Sequence, residues 1–175
     1  MYSIDERDRV EELRDVPQSS IGAPLPAVVA DEHRLFVIYL VEAIDPSWDG
    51  QTIRVVTPSS TDQIVALITF LRPYAHFFGP PNDEAFSGHP LATRGLHPYG
   101  AFEVQGSSWI RRLERMNSVH PHHRPAAFER LHHFVFAFHD STFECIAQGY
   151  QIEVRGGSLR SAIAELSGRI ADTTS

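Results

Sequence analysis

The chain has 175 residues, 42% of them hydrophobic and 21% charged, with a formal net charge of −7 and one cysteine. That length fits one domain with one core, and a lone cysteine excludes an intramolecular disulfide or a cysteine-rich zinc site. The acidic balance, 15 Lys+Arg against 22 Asp+Glu with no basic tract, argues against nucleic acid and against membrane surfaces as partners.

The opening stretch, MYSIDERDRVEELRD, is charged rather than apolar, so no secretory signal is expected. No apolar run reaches the roughly 20 residues of a membrane helix, and the expected location is cytoplasmic. Ser3-Ile4-Asp5-Glu6 has the form of a capping box, with Val10, Leu13 and Val16 following at helical spacing, which predicts a short helix ending before Pro17. QSSIGAPLPA then reads as a linker, so residues 1–33 are expected to be helix and linker.

From Arg34, RLFVIYLVEA is apolar on both alternating faces, the pattern of a central strand covered on each side. Asp49-Gly50 is a hairpin signal, TIRVV a partner strand, TPSSTDQ a turn and IVALITFL a third strand. Residues 73–98 carry five prolines, three glycines and no sustained period. They predict a long ordered loop, a type of connection that often forms lids and binding surfaces.

YGAFEVQ reads as a strand, and Ser107 or Ser108 can cap the helix WIRRLERMN, whose Trp109, Ile110, Leu113 and Met116 share a face. Pro125 suits the first turn of a second short helix, PAAFERL, with Phe128 and Leu131 turned inward. HHFVFAFHD, TFECIAQ and YQIEV follow as three strands. SLRSAIAELSGRI, capped by Ser158, gives a helix over 158–170 with Leu159, Ala162, Ile163, Leu166 and Ile170 along one stripe. The short connections make the sheet largely antiparallel. The expected fold class is α+β, a single domain over 1–175 with six to seven strands and helices packed on them.

Residues 117–145, NSVHPHHRPAAFERLHHFVFAFHDSTFEC, hold six of the ten histidines. A hairpin turning at Asp140-Ser141 sets His139 opposite Thr142 and Phe138 opposite Phe143. The period of two then gathers Phe134, Phe136, Phe138, Phe143, Cys145 and Ala147 on one face, and His133, Val135, Ala137, His139, Thr142, Glu144 and Ile146 on the other. In that register His139 and Glu144 are diagonal neighbours, about 7 to 8 Å apart at their backbones. The small Ala137 and Thr142 leave room beside them. His139, Asp140 and Glu144 are thus the candidate catalytic residues for acid–base work, although a histidine and a glutamate paired under a loop would look the same.

His120, His122 and His139 are the candidate metal ligands. Two imidazoles one residue apart and a third from the hairpin would leave an open position, as in catalytic zinc or iron sites, so such a transition metal is the cofactor class that fits. His132 and His133 are expected as packing at a helix end. His89, Arg94 and His97 in the long loop, with Trp109 on the helix after it, are the candidate ligand-binding residues. No G-x-S-x-G elbow, P-loop or dinucleotide fingerprint occurs, and Cys145 falls on the phenylalanine face, where a buried thiol is unreactive.

Two function classes follow, with a third behind them. The first is a binding protein that takes a protein partner or a small-molecule ligand through the 73–98 loop and the 132–148 hairpin. The second is a small, metal-dependent enzyme of hydrolase or lyase type, using His139 and Glu144 with ligands from 120–123. The third is a homo-oligomer whose association responds to acid, because protonating all ten histidines would move the formal charge from −7 to +3.

Overall fold

In the computed structural model, which describes residues 2–43 and 55–172, nine strands form two antiparallel sheets. The strands are β1 (Arg9–Glu12), β2 (Ala27–Ala30), β3 (Leu35–Leu40), β4 (Gln63–Leu71), β5 (Ala75–Gly79), β6 (Gly100–Gln105), β7 (His132–Ala137), β8 (Thr142–Ala147) and β9 (Gly149–Gly157). One sheet runs β1-β6-β7-β8-β5 and the other β2-β3-β4-β9. Two α-helices accompany them, α1 (Ser108–Asn117) and α2 (Leu159–Ala171). The α+β class is as the spacing predicts, with more strands than six to seven.

The inner faces of the two sheets form the main core. Leu35, Val37, Tyr39, Ile68 and Phe70 meet Phe134, Phe136, Phe138, Phe143 and Cys145. All six residues of β3 are buried, as its unbroken apolar run requires, and each large side chain so placed contributes roughly 1.5 to 3 kcal/mol. The outer face of the four-stranded sheet is closed by α2, whose Leu159, Ala162 and Leu166 lie on Phe36, Ile38, Leu40, Val65 and Leu67. The outer face of the five-stranded sheet is covered differently. There Phe102, Val104, Val135 and Ala137 meet Tyr2, Phe86, Leu91, Leu96 and Trp109, drawn from the N-terminal segment, the 80–98 connection and α1.

Both helix caps follow the serine logic. Ser107 Oγ accepts from the Ile110 amide at 3.2 Å, and Ser158 Oγ from the Ser161 amide at 3.1 Å, each satisfying an amide that the first turn leaves open.

Several expected elements change. The helix before Pro17 is not formed. Instead the Asp5 amide donates to Asp8 Oδ2 at 2.7 Å and the Asp8 amide to the Asp5 carbonyl at 3.3 Å. This carboxylate-stabilised turn feeds β1, so the acidic residues bond the local backbone rather than start a helix. The expected linker contains β2, and Ser19 bridges to Val41. Residues 73–98 are not wholly loop, because Ala75–Gly79 pairs with β8 as an edge strand before two single-turn 3₁₀ segments. PAAFERL is a 3₁₀ turn over Pro125–Arg130 rather than an α-helix. The Asp49-Gly50 turn and the start of TIRVV lie outside the described residues. Among the described residues no helix is long and apolar enough to cross a membrane.

Candidate functional site

The β7–β8 hairpin carries the site, and its register corrects the expected one. Ala137 pairs with Thr142 and Phe136 with Phe143, so the connection is the four residues 138–141 rather than two. The pairing differs from the expected one by an even step, which leaves every side chain on its expected face. Neighbours, however, change. Glu144 stands opposite Val135 on one side and Phe77 on the other, and its diagonal partner is His133, not His139.

Glu144 is 2% exposed, where an unpaired carboxylate would cost several kcal/mol. Three donors meet it. Tyr2 O–H donates to Oε2 at 2.6 Å, His133 Nε2 lies 2.9 Å from the same oxygen, and His89 Nε2 lies 3.3 Å from Oε1. Each imidazole is oriented through its other nitrogen. His89 Nδ1 accepts the Leu91 amide at 3.1 Å, which leaves its proton on Nε2, facing Glu144. His133 Nδ1 lies 3.0 Å from Ser107 Oγ, whose hydroxyl already accepts from Ile110 and can give its own proton to the ring.

Burial by itself would raise the Glu144 carboxyl. The hydrogen bonds from His133, His89 and the Tyr2 hydroxyl outweigh it and hold the pKa at about 2, so the group is ionised at neutral pH. Burial first, and the neighbouring Glu144 charge second, push the Tyr2 phenol far above its ordinary value. Tyr2 therefore remains a donor. Its ring stacks on Trp109, centroids 5.5 Å apart and 8° from parallel, and the His133 ring stands edge-on to both.

Over this network lies a cavity of about 360 Å³ lined by Tyr2, His76, Phe77, Trp109, Arg112, Leu113, Met116 and Glu144. Its volume is in the range of small-molecule sites, about 300 to 1,000 Å³. The walls are largely apolar or aromatic, and the buried carboxylate and phenol form the polar floor.

The sequence candidates divide accordingly. Glu144, His89 and Trp109 converge on the cavity and its network. His139 does not: it leaves the strand, its side chain is 42% exposed, and Nδ1 pairs with Asp140 at 2.9 Å while Nε2 lies 4.0 Å from Asp83. The hydrogen bond to Asp140 raises its pKa. Arg94 donates to the Asp5 carbonyl, and His97 is exposed with its ring edge-on to Phe102. His120 accepts the His122 amide at 3.1 Å on the exposed turn after α1, and their rings are 5.8 Å apart. Among the described residues no three His, Cys, Asp or Glu side chains are grouped so that they could hold a metal ion, so His120, His122 and His139 do not share a centre. Cys145 is buried in the core, and burial pushes its thiol well up.

Sequence reasoning missed Tyr2 and placed His133 in packing. His133 had a signal, since the period of two sets it on the Glu144 face. Tyr2 had none, because its contact with Glu144 spans 142 residues. Compared with protein-family models, curated proteins and solved structures, the chain matches none.

Proposed function

We propose that the protein binds a small molecule in the cavity over Glu144. The ligand presents a cationic or N–H donor group to the Glu144–Tyr2 floor and an apolar, aromatic or alkyl body to Trp109, Phe77 and Leu113. The observation that carries this reading is a buried carboxylate at the floor of an otherwise mostly apolar cavity, held by donors from three separate segments. A core needing only stability is served as well or better by apolar side chains of similar volume. The 73–98 segment supplies His89 and Phe77 while the 132–148 hairpin supplies His133 and Glu144, the two regions first expected to bind. A reducing, cytoplasmic compartment suits the single buried thiol.

The test uses benzylamine and its uncharged counterpart benzyl alcohol, titrated calorimetrically against the full chain. Benzylamine is expected to bind at least about tenfold more tightly, the worth of one charge-assisted contact. Leu113→Trp, which fills the cavity without touching the network, is expected to abolish binding. Equal affinity for the amine and the alcohol would sink the reading.

A second reading, hydrolytic catalysis, rests on one observation: Ser107 Oγ, His133 and Glu144 stand in the order hydroxyl, imidazole, carboxylate found in covalent acyl-transfer enzymes, with the two ring nitrogens exchanged. Against it, Ser107 is buried and its oxygen is engaged in capping α1. Stoichiometric labelling by a fluorophosphonate, lost in Ser107→Ala, would favour catalysis over simple binding.

A further inference from the structure

A second cavity, of about 260 Å³, lies beside the first along α1 and is lined by Ser3, Asp5, Arg7, Ser108, Arg111, Arg112 and Arg115. Four of its lining side chains are guanidiniums, in a chain whose formal net charge is −7. Ser108 stands at the N-terminus of the ten-residue α1. It is 8% exposed, and its hydroxyl is the one buried side-chain polar atom among the described residues without a hydrogen-bond partner. Such a group ordinarily finds a partner. The Arg115 guanidinium makes no hydrogen bond or ion pair among the described residues. Arg7 and Arg111 are held by one carboxylate, Asp5 Oδ2, at 3.0 and 2.6 Å.

We infer that this cavity is a binding site for a tetrahedral oxyanion of the phosphate class. Guanidinium forks from Arg7 and Arg111 and the Arg115 guanidinium supply donors from several directions. That array suits a phosphate, with oxygens on every side, better than a planar carboxylate. The N-terminus of α1 adds its positive end to the field. Asp5 is the internal stand-in: its carboxylate sits between Arg7 and Arg111, where an incoming oxygen pair would bind. The buried Asp8 already accepts the Ser108 amide at 2.7 Å and lies 3.9 Å from Arg111, so the ligand engages side chains rather than that amide. The site adjoins the Glu144 cavity, Arg112 lining both, but neither assignment depends on the other.

The experiment is calorimetric titration of the full chain with inorganic phosphate and with glycerol phosphate, against chloride at equal ionic strength. The expected result is saturable binding of one anion per chain. Arg115→Gln, checked for an unchanged circular dichroism spectrum, should weaken it by about tenfold. Asp5→Asn keeps the oxygen that accepts the Arg7 amide but removes the competing charge, and should tighten it severalfold. Tighter binding of glycerol phosphate would assign the site to phosphomonoesters, and tighter inorganic phosphate to the free ion; either upholds the class. A response no different from chloride, or affinity unchanged in Arg115→Gln, overturns the proposal and shows the arginines to be a solvated surface.

Discussion

The two helices cover the two sheets by different chemistry. Beneath α2 the contact is apolar throughout, with Leu159, Ala162 and Leu166 on Phe36, Ile38, Leu40, Val65 and Leu67. On the other side, where α1 and the N-terminal segment lie, the chain buries Asp8, His89, Ser107, Ser108, His133 and Glu144. Both faces are buried, so burial alone does not distinguish them. What differs is that one face is held by area and the other by a chain of specific donors. Area tolerates substitution of similar volume, whereas a donor chain fails when any member is lost. A protein that needed only a second closed face had the α2 solution to hand.

Three experiments sharpen this contrast. The largest effect belongs to the apolar face under α2: Leu166→Ala should lower stability by about 2 to 5 kcal/mol through lost burial and a cavity, measured by urea unfolding at neutral pH. The second separates the faces by acid. Glu144 has its pKa lowered from 4.5 to about 2 in the folded chain. Its contribution is therefore fully present above 4.5 and is lost as pH falls towards 2, a change of order 3 kcal/mol for a shift of that size. In Glu144→Gln this acid step should disappear while Leu166→Ala retains it, and an undiminished step in Glu144→Gln would place the acid sensitivity elsewhere. The smallest effect compares the caps. Ser158→Ala should cost about 1 kcal/mol, but Ser107→Ala should cost about 2, because it also strips His133 Nδ1 of its partner. As a control, His139→Ala should stay within about 0.5 kcal/mol, since its ion pairs are exposed.

The elements with long, regular patterns were legible in the sequence. Leu35–Leu40, Gln63–Leu71, the hairpin strands and both α-helices lie where apolar spacing and serine caps put them. The faces of the hairpin were legible too, because an even change of register preserves them. The register itself was not, since Asp140-Ser141 looks like a two-residue turn and the connection uses four. β1 was hidden because Val10, Leu13 and Val16 mimic a helical stripe, while Asp5 and Asp8 spend their carboxylates on a turn. β5 was hidden by flanking Pro73, Pro80 and Pro81, which an edge strand tolerates just beyond its ends. Of the site, Glu144, His89 and Trp109 could be picked from residue type and position. Their meeting with Tyr2 and His133 could not, because no local period encodes contacts between segments so distant in the chain.

The hydrogen bonds to Glu144 span 142, 55 and 11 residues. The nearest forms within a hairpin, on the short timescale of local closure. The farthest must wait until an N-terminal segment has found β8 across most of the chain, and such non-local closures are entropically costly and slow. The floor of the cavity is therefore expected among the late events of folding: a half-folded chain can own the hairpin and its histidine, yet only a chain whose N-terminal segment has docked owns the complete Glu144 network.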